Sequence, residues 1–207
     1  MATLTGNPDL VDPGFDHPPA NPMALLKQWL LTADQLNISE PRGLVLSTVN
    51  AKMQPSSRVV LLKDCDETGI VFASSALSAK GQDLQLNPSA AGTLWWRETM
   101  QQINFQGRVK PCSAEFSDTI FYDRPISAQA VANVSKQSVP LIDEAAMKAH
   151  VAELLQQSEL IKRPADWHAY HFVIESIEFW HGSKDRFHKR LRYTLANHVW
   201  NHQMLQP

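Results

Sequence analysis

Ile177-Glu178-Phe179-Trp180, followed closely by Arg186-Phe187-His188-Lys189-Arg190-Leu191-Arg192-Tyr193, is the stretch that decides how this chain is read. In an extended strand, successive side chains alternate between faces. Arg186, His188, Arg190 and Arg192 then share one face, and Phe187, Leu191 and Tyr193 share the other, with Lys189 the exception. Four cation-capable groups on one face repel one another unless water or an anion lies against them. The apolar reverse face implies docking on a core. A docked strand with an ordered cationic face, just after a Trp, suits a planar anionic ligand. A solvated edge strand, where charges are common, gives the same pattern.

The segments upstream supply more strands. Leu44–Val49 and Arg58–Leu62 flank a polar turn at Asn50-Ala51-Lys52 and predict a hairpin. Gly69–Ala73 follows a turn over Asp64–Thr68. Gly92–Trp96 and Ile103–Val109 predict another pair, and His168–Phe179, Arg186–Tyr193 and His198–Met204 the last three strands. Helices are predicted at Pro22–Leu36, capped by Asn21 with Pro22 in the first turn, and from Ser78 to about Asn87-Pro88. Two more are expected at Ser113–Tyr122, stopped by Arg124-Pro125, and at Asp143–Ser158, with Met147, Val151, Leu154 and Leu155 on one face. Strands and helices do not alternate regularly, so the pattern predicts a mainly β antiparallel barrel with helical insertions rather than a doubly wound sheet. Residues 1–21, rich in Pro, Asp and Asn, read as a flexible arm, and residues 22–207 as one domain.

The chain has 207 residues and a formal net charge of −2, which argues against a general nucleic-acid binder and points to a small anionic ligand met by local cations. No run of 18 apolar residues occurs, and residues 1–22 have neither the basic nor the apolar region of a signal peptide. With only Cys65 and Cys112, a disulfide framework or Cys-rich zinc site is not expected, and a reducing, cytoplasmic setting fits. The His168/His171 and His198/His202 pairs lack a ligand pattern, so no metal is expected. Gly-rich phosphate loops and nucleophile-elbow motifs are absent.

Four further segments can carry chemistry, and each has a plainer reading. Arg58-Val59-Val60-Leu61-Leu62-Lys63 places cations about 17 Å apart along a strand, able to hold two ends of an elongated ligand or simply to snorkel from a buried strand. Ser78-Ala79-Lys80 combines a hydroxyl, free N–H groups and a Lys at a helix start, which suits phosphate, or is an ordinary cap. Gln102 opens a strand beside Trp95-Trp96, and its amide can both donate and accept at a heteroaromatic edge, or be solvated. Gln137-Ser138 lies in a polar loop that could donate to an anion, or merely lead into a helix.

In their order, these segments resemble the pyridoxamine-phosphate oxidase family of FMN-binding split β-barrels: RVVLLK, S-x-K-G, a Gln-containing strand ending in GRV, RP, VSKQS, IEFW, then R-x-H-x-RLRY. The resemblance runs from about Gly43 to Pro207. It implies a homodimer with FMN at the subunit interface. By motif it implies that Arg58, Val59, Leu61, Lys63, Ala73, Ser74 and Lys80 contact FMN, with Gln137 and Ser138 reaching it from the partner chain. Gln102 would meet the isoalloxazine edge, Trp180 and Arg190 would lie beside it, and Lys63, Arg124, Arg186 and His188 would face the substrate. Arg190, His188 and Arg186 are the residues that this resemblance places at the chemistry.

Two departures bear on the substrate. Vitamin B6 oxidases place a Tyr, an Arg-Pro and a Ser around the substrate phosphate; here those positions are Ile120, Arg124-Pro125 and Ala128, with Tyr122 or Ser127 as substitutes in a shifted register. The Arg before the FMN Lys is Ala79. The stretch Trp96-Arg97-Glu98-Thr99, with Gln101-Gln102, resembles the family branch that acts in phenazine biosynthesis. What that implies is an FMN-dependent oxidase that dehydrogenates and aromatises a reduced phenazine carboxylic acid, with hydride passing to flavin N5 and O2 as acceptor. The other activity the family implies is oxidation of pyridoxine or pyridoxamine 5'-phosphate.

Overall fold

The computed structural model describes residues 4–156 and 160–207. Nine strands form one antiparallel sheet: β1 (Gly43–Val49), β2 (Pro55–Leu61), β3 (Asp64–Cys65), β4 (Gly69–Ser75), β5 (Ser89–Trp96), β6 (Gln101–Pro111), β7 (Trp167–His181), β8 (Lys189–Ala196) and β9 (Val199–Leu205). The path is β2-β1-β5-β6-β7-β4-β3, and β8 and β9 branch from β7. Fifteen-residue β7 makes the branch possible. Its first half pairs β4, from Gly69↔Val173 to Ser75↔Trp167, and its second half pairs β8, from Ser176↔Thr194 to His181↔Lys189. The sheet curls rather than closes: β2 and β3 are its two ends, yet only Leu62-Lys63 joins them, and Lys63 N–H donates to the Val71 carbonyl at 2.7 Å.

A β-bulge at Gln106/Gly107 sets the bend between β6 and β7. A Cβ on Gly107 would collide with the Val173 carbonyl, so the close approach of the two strands there requires glycine. Leu44, Leu46, Phe72, Leu94, Ile103, Phe105, Phe172, Ile177, Phe179, Leu191 and Tyr193 fill the interior. Helix α1 (Pro22–Gln35), capped by Asn21, seals it with Met23, Leu25, Leu26, Trp29 and Leu30, each stabilising the fold by about 1.5–3 kcal/mol through burial.

Helices α2 (Ala79–Leu86), α3 (Ala114–Tyr122), α4 (Ile126–Val134) and α5 (Glu144–Gln156) are insertions between strands. The expected apolar face of α5 is met in part: Val151 and Leu154 pack on the small cluster of Phe121, Ala130, Ile161 and Trp167, whereas Leu155, expected on the same face, is exposed. Residues 157 and 158 of that expected helix lie outside the described residues.

Several boundaries differ from expectation. Helix α4 was not foreseen, because Arg124-Pro125 reads as a stop; Pro125 instead stands just before its first turn, where a missing N–H costs nothing. The Asp64–Thr68 turn contains the two-residue β3. The last cationic strand begins at Lys189, not Arg186. Arg186 adopts φ +69°, a left-handed turn conformation, and Phe187 is 74% exposed instead of facing the core. The N-terminal segment, expected as a flexible arm, packs on the sheet. Phe15 is buried, Trp29 Nε1 donates to the Pro13 carbonyl, Tyr193 Oη donates to the Pro19 carbonyl, and Asp9 pairs with Lys184.

Candidate functional site

The residues singled out by sequence separate into two groups. The first lines a cleft of about 750 Å³ between β2, β4, the start of α2 and α4: Arg58, Val59, Leu61, Lys63, Ala73, Ser74, Lys80, Arg124 and Gln137 all form its wall. Lys80 is 7% exposed. Its Nζ donates to Gln137 Oε1 at 3.0 Å and Ser78 Oγ at 3.1 Å, and Ser74 Oγ donates to the same Gln137 oxygen at 3.2 Å. Burial, with Arg58 nearby, pulls the Lys80 pKa down to about 8. Burial also lowers that of Arg58, whose Nη1 donates to Thr48 Oγ1 at 2.8 Å; Thr48 in turn donates to buried Asp83.

Ser78 caps α2 through Gly81 N–H and also accepts from Lys80, so the cap and the anion-site readings describe one hydroxyl. A Cβ on Gly81 would lie 2.5 Å from the Ser75 and Ala76 carbonyls; glycine there lets the first turn of α2 reach the end of β4 and carry Lys80 into the cleft. Buried Lys80 and half-buried Arg58, two hydroxyls and a helix N-terminus converge with no carboxylate bonded to either cation among the described residues. That donor set fits a phosphate dianion. Gln137 and Ser138, expected from a partner chain, stand beside Lys80 and Ala79 of the same chain, where Ser138 Oγ accepts from Ala79 N–H at 3.2 Å.

At the other end of the cleft Arg124 lies over the rings of Trp167 (5.2 Å) and Phe121 (5.9 Å). Its Nη1 is buried without a hydrogen-bond partner among the described residues. Ala128 is part of the wall beside it; Ile120 packs into the small cluster, and neither Tyr122 nor Ser127 lines the cleft. None of these four positions therefore brings a hydroxyl to the wall at Arg124, and the hydroxyls that do line the cleft are those of Ser74, Ser75 and Ser135.

The second group lies on the outer face of the sheet. Register places Trp95, Gln102, Trp180 and Arg190 in one row across β5, β6, β7 and β8, and Thr93, Asn104, Glu178 and Arg192 in the next. His188 lies against Trp180 with ring centres 4.8 Å apart and planes tilted by 46°, and its Nδ1 accepts from Ser183 N–H at 3.0 Å. Gln102 makes no side-chain hydrogen bond among the described residues, which leaves its amide available. Arg186 is exposed and shares a small cleft with His188, Leu4 and Gly6. No member of this group lines the first cleft.

Sequence reasoning missed Glu178. It is 7% exposed and bonded to both Arg190 and Arg192, so the cationic row is partly neutralised from within. Burial pushes its carboxyl up, but hydrogen bonds from Arg190 and Arg192 outweigh this and hold it below the usual range. The signal was present: Glu178 has the same parity as Trp180, so in a strand it must share the face of the cations. No group of three or more metal-ligating side chains occurs among the described residues, nor a helix long and apolar enough to cross a membrane.

Comparison with known proteins adds the following. A family model described as pyridoxamine 5'-phosphate oxidase matches residues 32–158, and one described as the pyridoxine 5'-phosphate oxidase C-terminal dimerisation region matches residues 167–207. The dihydrophenazinedicarboxylate synthase of Burkholderia lata is 38% identical over 205 residues, covering 99% of this chain and 97% of that protein. The pyridoxine/pyridoxamine 5'-phosphate oxidase of a Nostoc species is 38% identical over 190 residues, covering 90% and 89%. The crystal structure of PhzG from Burkholderia lata in complex with tetrahydrophenazine-1-carboxylic acid superposes with a TM-score of 0.94 at 38% identity, covering 98% of this chain and all of that one.

Proposed function

The chain belongs to the pyridoxamine 5'-phosphate oxidase family, and from that premise we propose that it is an FMN-dependent oxidase that dehydrogenates a reduced phenazine carboxylic acid. The observation that carries the substrate class is the wall around Arg124: the buried Nη1 of this half-buried guanidinium has no hydrogen-bond partner among the described residues, Ala128 lines the cleft beside it, and Ile120 packs into the small cluster. One guanidinium can satisfy a carboxylate bidentately, whereas a phosphate dianion has further acceptor oxygens and loses more when neighbouring donors are absent. The full-length likeness to the dihydrophenazinedicarboxylate synthases supports the same choice.

Arg58, Ser74, Lys80 and Gln137 are the proposed holders of the FMN phosphate. Gln102, Trp180 and Arg190 are the proposed contacts of the ring, and Lys63, Arg124, Arg186 and His188 face the substrate. Because the two groups occupy different surfaces of one chain, a site that uses both takes its phosphate half from one protomer and its ring half from the partner. This agrees with the dimerisation region matched at residues 167–207. FMN held there would supply a hydride acceptor for the substrate ring, with O2 as the proposed final electron acceptor. The protein's own part is to hold the substrate carboxylate, stack the flat ring near Trp180 and His188, and keep positive charge beside the flavin. Aromatisation of the product drives the reaction, so no strong general base is required. Both cysteines are free, in keeping with a cytoplasmic setting.

The test is anaerobic. Protein loaded with FMN is mixed with a reduced phenazine carboxylate or with pyridoxine 5'-phosphate, and the oxidised flavin band is followed. Bleaching by the phenazine alone is expected; faster bleaching by pyridoxine phosphate would transfer the protein to vitamin B6 metabolism.

A further inference from the structure

We propose that Glu178 is the positioning residue for Arg190, and that Arg192 acts through it to leave a full positive charge beside the bound flavin. The inference rests on the FMN site proposed above.

Glu178 Oε1 accepts from Nε of Arg190 at 2.8 Å, with Arg190 Nη2 at an ion-pair distance of 2.8 Å from the same oxygen, and Oε2 accepts from Nη2 of Arg192 at 2.6 Å and Nε at 3.0 Å. Each guanidinium thus faces its own oxygen of the one carboxylate. Arg190 Nη1 is held separately by the Gln206 carbonyl at 3.1 Å, so β7 and the C-terminal segment together fix its plane. One carboxylate with two guanidiniums leaves the cluster a unit charge of +1. Were Arg192 absent, Glu178 and Arg190 would form a neutral pair and the row through Gln102 and Trp180 would lose its positive end. Arg192 itself stands in the neighbouring row, opposite Glu178 and beyond Asn104, and is the more exposed arginine. A buried ion cluster adds little net stability, because desolvation offsets attraction. What this arrangement does provide is a fixed orientation and a defined charge, which an anionic reduced flavin would feel and a neutral oxidised one would not.

The experiment uses the FMN-loaded dimer and reads the reduction potential of the bound flavin by dye equilibration. Arg192→Gln is expected to weaken binding of reduced relative to oxidised FMN about tenfold, a fall of about 30 mV for two electrons, while flavin content and melting temperature stay near wild type. Arg192→Lys should restore the potential. Glu178→Gln frees Arg190 and is expected to raise the Kd for FMN about tenfold or more. An unchanged potential in Arg192→Gln, or a fall that Lys does not reverse, overturns the inference. Should Glu178→Gln not fold, the Arg192 pair decides alone. A wild-type protein that binds no FMN overturns both this inference and the function on which it rests.

Discussion

Raising the pH from 7 to 9 should weaken FMN binding through one side chain, Lys80. Burial and the neighbouring Arg58 hold its pKa at about 8 instead of the ordinary 10.5. A bound phosphate dianion opposes both effects and raises the value again. Binding then takes up a proton wherever the free protein has already lost it. The sign follows: well below pH 8 Lys80 is charged in both states and affinity is constant; above pH 8 affinity falls with rising pH until the bound form titrates as well. Protonation of free Lys80 drops from about nine-tenths at pH 7 to about one-tenth at pH 9, so the Kd should rise about tenfold, or ~1.4 kcal/mol. The assay is titration of FMN fluorescence into apoprotein at closely spaced pH values. Lys80→Met should bind more weakly at pH 7 and lose the pH dependence; Lys80→Arg should bind with none. A wild-type Kd that does not change between pH 7 and 9, or a slope that survives in Lys80→Met, would refute the reasoning.

Two other outcomes follow from the same geometry. Lys80→Met disables the phosphate half-site and Arg190→Ala the ring half-site, and each protein alone should hold little flavin; dissociated and remixed, they should recover about a quarter of wild-type FMN capacity, since half the dimers are mixed and one of their two sites is intact. Absence of recovery would mean that both halves serve one site within a chain. Restoring hydroxyls with Ile120→Tyr and Ala128→Ser should lower the pyridoxine 5'-phosphate concentration needed for half-maximal flavin reduction by tenfold or more, at about 1.5–3 kcal/mol per charge-assisted bond; no gain from either change would show that this wall does not meet the substrate phosphate.

Much of the fold was legible because the chain states it locally. Alternation over Leu44–Val49 and Ile103–Val109, and the capped stripe of Pro22–Leu36, each match the observed element. The failures share a cause. Arg186 and Phe187 continue the alternation of β8, yet they form the turn that leads into it, because a period of two is obeyed equally by a strand and by a short extended approach to one. Helix α4 was hidden by a proline whose meaning depends on which side of it the helix lies. In the site, the cations of the phosphate cluster could be named from sequence. Their partners could not: that Gln137 meets Lys80 of its own chain depends on a contact across 57 positions, which no local pattern encodes.

Glu178 shows why charge patterns in a strand must be read across the sheet. Along β8 alone, Arg190 and Arg192 look like two free cations awaiting a ligand. Across the register, each is bonded to one carboxylate on β7, and only one unit of charge is left over. Lys80, Arg58 and Arg124, by contrast, have no carboxylate ion pair among the described residues and stand around a cleft that the ring-facing row does not reach. A ligand with phosphate at one end and a flat ring at the other therefore cannot satisfy both groups on one chain. The exposed apolar side chains of Val59 and Leu61 at the cleft, and of Trp95 in the ring-facing row, are then what a pairing of two copies would cover. On the proposed site shared between two copies, cofactor binding and dimerisation are linked, so FMN should tighten the dimer by the same factor that dimerisation tightens FMN.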